Sequence, residues 1–118
     1  MKSKDLFGNE IDDESVGKKF DTDKLKYDLI YPQFEQEIAA VLTHGAKKYK
    51  PNNWKLVPDA KNRYYAAMRR HIASWRMGEK YDSESNLHHL AHAAVNAMFL
   101  MWFDADGGDT EFDALSDD

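Results

Sequence analysis

The stretch Asn86–Phe103, NLHHLAHAAVNAMFLMWF, decides the fold. It holds no Gly, no Pro and no Asp, Glu, Lys or Arg, and apolar residues dominate it from Ala91 onward. Leu87, Leu90, Ala91, Ala94, Met98 and Met101 recur at helical spacing, which predicts a helix with these residues as its core stripe. Ser83 or Ser85 is the expected cap, and the helix is expected to run to about Phe103. A helix that is apolar nearly all round is buried on several sides. Three helices of this length leave part of it wet in a single copy, so a homodimer or homotetramer interface is expected on it.

Working outward, two more helices are predicted. From Pro32 to Lys48, Phe34, Ile38, Val41, Leu42 and Gly45 share one face; Pro32 suits a first turn, and Lys47 and Lys48 suit a last one. From Asp59 to Met77, with Asp59 as cap and Gly78 as stop, the inner face reads Tyr64, Ala67, Met68, His71, Ile72 and Trp75. The expectation is an all-α helical bundle over residues 19–103. A polar, flexible arm is expected over residues 1–18 and a mobile acidic tail over residues 104–118.

The 118 residues suit one domain, and the 42% apolar share is that of a globular chain rather than a disordered one. The net charge of −5 argues against general nucleic-acid binding. The charge is unevenly spread, however: seven of the 21 acidic residues lie in the last fifteen, leaving 14 against 16 Lys and Arg in the rest. A compact anionic ligand is compatible with that slightly basic body. With no Cys, disulfides and thiolate metal sites are excluded, so any metal is held by carboxylate, imidazole, amide or water. No apolar run reaches transmembrane length and no signal core opens the chain, so a soluble cytoplasmic protein is expected, without membrane partners.

His89, His92 and Asn96 lie at i, i+3 and i+7 on the third helix, a polar line opposite the expected core stripe. By itself a pair of helical histidines more often buffers an interface than binds a metal. Here His71 on the second helix and Glu79 and Asp82 at the following turn bring two carboxylates and a third imidazole to the same end of a helical hairpin. Such a set can hold a divalent ion: Mg²⁺ wants oxygen ligands, while Mn²⁺ accepts imidazole with them. Glu37, in line with His44 and Lys48 on the first helix, is a further candidate metal ligand. Lys48 and Arg70 are candidates for phosphate, beside the ordinary reading of such residues as a solvated basic face.

The series DKLKYDLI, HGAKKYKPNNW, RRH, GEKYDSES and HHLAHAAVNAMFL resembles the phage family called dATP/dGTP diphosphohydrolase, N-terminal, and with it the all-helical nucleotide pyrophosphohydrolases of the MazG type. The resemblance covers about Phe20 to Phe103. It implies a MazG-like bundle completed by homo-oligomerisation. It also implies Mg²⁺- or Mn²⁺-dependent cleavage of a purine deoxynucleoside triphosphate to monophosphate and pyrophosphate. In that frame the metal ligands are Glu37, Glu79, Asp82, His89 and His92, with His71 as ligand or general base beside Glu79 and Asp82. Lys24, Lys48 and Arg70 meet phosphates, Tyr49, Asn53 and Trp54 read the base, and Asn96 lies toward the substrate. The chain departs from the MazG pattern in its acidic pairs, because Glu79-x-x-Asp82 falls at a turn and histidines stand where the third helix would carry carboxylates. A protein that binds and sequesters a nucleotide without cleaving it is the alternative.

Overall fold

The computed structural model describes residues 3–4, 10–11, 17–18, 20 and 22–107. The expected arm, residues 1–18, and acidic tail, residues 104–118, lie largely outside these. Three helices carry the fold: α1 (Pro32–Lys48), α2 (Ala60–Arg76) and α3 (His89–Trp102). The all-α expectation holds. Beside the helices stand an isolated bridge between Tyr81 and His88 and a two-residue antiparallel pair, β1 (Ser3–Lys4) with β2 (Glu10–Ile11). No helix among the described residues is long and apolar enough to cross a membrane.

Local chemistry accounts for most helix ends. Pro32 sits in the first turn of α1 behind an extended Tyr31, the conformation a following proline favours. The helix continues through Gly45 and closes when the Tyr49 N–H donates to the Gly45 carbonyl at 3.0 Å. Asp59 holds the cap position of α2, but its backbone is left-handed (φ 53°) and its carboxylate accepts from the Asn62 side chain at 2.9 Å instead of from a helix N–H. Gly78, at φ 106°, ends the segment in a conformation that costs a residue with a Cβ.

The start of α3 departs from expectation. The helix begins at His89, not at Ser83 or Ser85, because Asp82 organises the preceding residues into a loop. Its Oδ2 accepts from the Ser85 N–H at 2.8 Å and from the Ser85 hydroxyl at 3.0 Å, and Asn86 turns the chain back with φ 62°. Short polar side chains bonding to nearby backbone compete with helix in this way. The cap is His88, whose Nδ1 accepts from the Leu90 N–H at 3.0 Å.

A larger correction concerns the faces of α3. The expected core stripe is mostly outside: Leu90 is 38% exposed, Met98 40% and Met101 70%, and Ala94 is exposed as well. Only Ala91 of that stripe is buried, with Leu87 partly so. The line His89–His92–Asn96, expected opposite the core, faces inward instead, with His89 at 3% and Asn96 at 7% exposure. Polar groups go inside when each finds a partner there, and these do. Because α3 is apolar almost all round, its hydrophobic pattern does not choose a face.

The packing has two centres. Ile38, Val41 and Leu42 of α1 meet Leu87, Ala91, Val95 and Phe99, an aliphatic cluster closed by Val95 at 2% exposure. Further along α3, an aromatic cluster gathers on Trp54, which the 3-10 turn Asn53–Leu56 delivers beneath the helix. Phe99 stacks on Trp54 at 4.3 Å, Trp102 meets it edge-on at 5.1 Å, and Tyr64 leans on Phe99 at 5.0 Å while its hydroxyl donates to the Trp54 carbonyl at 2.9 Å. Phe99 belongs to both centres. Replacing it with Ala should therefore lower the free energy of unfolding by about 3 kcal/mol in urea denaturation. Met77→Ala, at a side chain 81% exposed, should stay within about 0.5 kcal/mol of the wild type.

Candidate functional site

The α2–α3 hairpin sets three imidazoles together between the helices, in front of the connecting turn. His71 Nδ1 lies 2.8 Å from His89 Nδ1, and the His71 and His92 rings stack at 4.4 Å with only 6° between their planes. His89 Nε2, on the other side of that ring, meets Glu79 Oε1 at 2.6 Å. The carboxylate accepts there from His89 Nε2–H, and the His71 and His89 Nδ1 atoms share one hydrogen between them. His92 Nε2 bonds the Ser85 hydroxyl at 2.7 Å and lies 3.9 Å from Asp82 Oδ2. Each ring is thus oriented by a neighbour, the arrangement in which partners behind a histidine fix its tautomer.

The electrostatics favour the neutral form of His71 and His92 and the ionised form of Asp82. Burial, reinforced by the facing His92, lowers the His71 pKa to about 4. His92 is held below its usual value by burial as well. Burial acts to raise the Asp82 pKa, but the two hydrogen bonds from Ser85 and the nearby imidazoles outweigh it and hold the carboxyl below the usual range. Bare imidazole nitrogens beside an ionised carboxylate are what a divalent cation requires. Donor atoms of His71, Asp82 and His89 all lie within 4.8 Å of one another. Donors sharing one ion at about 2.1 Å each are no more than about 4.2 Å apart, so small side-chain rotations would close the group on a metal. The residues fit.

From His92 and Arg70 the site opens into a cleft of about 890 Å³ between α1, the loop after it, α2 and α3. That volume suits a small-molecule ligand. Of the expected substrate residues, Tyr49, Asn53, Trp54, Arg70 and Asn96 line it. They differ in what they can offer. Tyr49 is 61% exposed, with its ring at the cleft, whereas Trp54 is committed to Phe99, Trp102 and Phe103 and has Lys55 Nζ over its ring at 5.4 Å. Asn96 donates through Nδ2 to the His92 carbonyl at 2.9 Å.

Other expected residues stand apart. Glu37 is exposed on α1, and Lys24 is exposed ahead of it; neither lines the cleft or joins the metal-ligating group found among the described residues. Lys48 forms an ion pair with Glu84, whose carboxylate also lies 3.9 Å from His44 Nε2. That hydrogen bond raises the Lys48 pKa and lowers that of Glu84. Glu79 sits on the outer nitrogen of His89 instead of in the group of donors. The cleft is also lined by His44, Arg63 and Tyr64, which spacing along the chain does not by itself assign to it. Arg63 had a signal, since it precedes Arg70 by seven residues and so falls on the same face of α2.

Fold and site together describe a helical hairpin whose imidazole–carboxylate cluster opens on a ligand-sized cleft. The family model for dATP/dGTP diphosphohydrolase, N-terminal, matches residues 14–113, and the chain belongs to that family. It is 40% identical over 87 residues to the dATP/dGTP diphosphohydrolase of Salmonella phage PMBT28, a match covering 74% of this chain and 29% of the relative. The chain thus spans less than a third of that relative's length. No solved structure matches it.

The depressed His71 pKa makes a stability prediction. The unfolded chain binds a proton near pH 6.5 and the folded one only near 4, so this contribution is fully present above about pH 6.5. It is lost as pH falls from there toward 4. Denaturation of metal-free protein should show stability declining across that window, and His71→Gln should flatten the decline. A parallel decline in wild type and variant would remove His71 as its source.

Proposed function

We propose that the chain is the helical hydrolase domain of a metal-dependent nucleoside triphosphate pyrophosphohydrolase acting on purine deoxynucleotides. dATP or dGTP would be cleaved to the monophosphate and pyrophosphate. The observation that carries this reading is the continuity of the His71–Asp82–His89 group with the cleft through His92 and Arg70. The family and the phage relative's name supply the substrate class.

In this reading His71, Asp82 and His89 hold a divalent ion, Mg²⁺ or Mn²⁺, with His92 beside them. When bound, the ion supplies charge neutralisation for the triphosphate and Lewis acidity toward the attacking water. Glu79 orients His89 so that its Nδ1 faces His71 and the donor group. Arg70, near His71 on α2, places a guanidinium at the phosphates. Lys48 can join once a phosphate replaces Glu84. Tyr49 offers the open ring for the base, and Asn53 and Asn96 offer amides to its edge. Trp54 supports that wall from behind.

Mass spectrometry of products after incubation with dATP, dGTP and each metal tests the assignment. Pyrophosphate and monophosphate are expected, with turnover reduced at least 100-fold in Asp82→Asn and nucleotide affinity largely kept. Tyr49→Ala should do the reverse, weakening affinity by about tenfold, since stacking on an aromatic contributes about 1–3 kcal/mol. Intact nucleotides in every reaction, with one of them bound, would replace hydrolysis by sequestration.

We also propose that a second copy covers the outer stripe of α3, making a homodimer or homotetramer. Leu90, Ala94, Met98 and Met101 form a contiguous exposed line, and Tyr65, Ile72 and Trp75 of α2 are exposed too. Meanwhile the buried apolar core of the described residues is small, and three of its six members are alanines. Sedimentation equilibrium should show an oligomer that Met98→Asp dissociates. A monomeric wild type at micromolar concentration would end this proposal.

A further inference from the structure

We propose that the His71–Asp82–His89 group selects a transition-metal dication, of the Mn²⁺ to Zn²⁺ series, over Mg²⁺. This rests on the reading of the cluster as a metal site and narrows it to a class of ion.

The first ground is the donor set. Two of the three members are imidazoles, and a third imidazole, His92, stacks on His71 at 4.4 Å. Imidazole nitrogen suits Mn, Fe, Co, Ni, Cu and Zn, whereas Mg²⁺ takes oxygen ligands almost alone. The second ground is where the neighbouring carboxylates have gone. Glu79, the nearest that could turn the group into an oxygen site, is bound to the outer nitrogen of His89 at 2.6 Å. Glu84 is held by Lys48, and Glu37 stands on the exposed side of α1. Asp82 itself already accepts two hydrogen bonds from Ser85 on Oδ2. One partly engaged carboxylate is a poor Mg²⁺ site.

The third ground is hydration. Mg²⁺ gives up its waters reluctantly and keeps several of them when bound. The His89 side chain is 4% exposed, that of His92 13% and that of Asp82 21%, so an ion held here exchanges part of its hydration shell for protein ligands, keeping water only toward the cleft. A transition-metal ion exchanges water for nitrogen at a net gain. Glu79 adds to that gain, because a carboxylate behind a ligating imidazole raises its basicity.

Cobalt is the probe. Metal-free full-length protein titrated with Co²⁺ should develop visible d–d absorption saturating at one ion per chain, and millimolar Mg²⁺ should leave the band in place. His89→Gln should weaken Co²⁺ binding more than tenfold. Asp82→Asn should do the same, so that a folding defect in one variant, read by circular dichroism, does not decide the result. Displacement of Co²⁺ by Mg²⁺ at similar concentrations would overturn the inference, as would wild-type Co²⁺ affinity in both folded variants. The hydrolase reading fails separately: tight Co²⁺ binding without nucleotide cleavage supports the metal preference and sinks only the activity. Cleavage that runs on Mg²⁺ alone, in protein that ignores Co²⁺, sinks the preference and keeps the activity.

Discussion

The contact between His71 and His89 is the interaction on which the rest of the hairpin depends. It joins α2 to α3 through two ring nitrogens 2.8 Å apart, with Glu79 behind one ring and His92 stacked on the other. Burying such groups without partners costs several kcal/mol in all, so they enter the interior only as a mutually satisfied set. Once they do, the rotation of α3 about its own axis is determined. His92 and Asn96 follow His89 inward, and Leu90, Ala94, Met98 and Met101 must turn outward.

That rotation links structure to chemistry. A face of α3 made of aliphatic residues would have given a drier and larger core, and no cluster of donors. The observed arrangement leaves apolar surface exposed on the far side and gathers titratable groups where α2 and α3 meet. The Asp82 loop serves the same end. By ending the turn at Ser85 and Asn86 instead of letting the helix start early, it holds a carboxylate beside His92 and gives the Ser85 hydroxyl to that ring. The hairpin thus gathers three imidazoles, with Asp82 beside His92 and Glu79 behind His89.

The loop between α1 and α2 divides its aromatic residues between two tasks. Trp54 belongs to the aromatic cluster with Phe99 and Trp102, and Tyr49 remains at the mouth of the cleft. The lysines around them are also divided. Lys55 lies over the Trp54 ring, while Lys48 is engaged by Glu84 at the edge of the site. A surface ion pair of this kind is worth little on its own.

The sequence by itself determined the helices α1 and α2 almost to the residue, because their ends are set by short-range chemistry at Pro32, Lys47, Lys48 and Gly78. It also determined the membership of the cluster: His71, Glu79, Asp82, His89 and His92 could be picked out from helical spacing and the turn between them. Tertiary structure alone decided three things. It chose the inward face of α3, since a helix apolar nearly all round carries no pattern strong enough to orient it. It separated Glu79 and Glu37 from the donor group, a matter of distances between elements that spacing along the chain does not contain. It engaged Trp54 in the aromatic cluster at the cleft wall and left Tyr49 open at the cleft, because which of two nearby rings is covered depends on Phe99 and Trp102, more than forty residues further on.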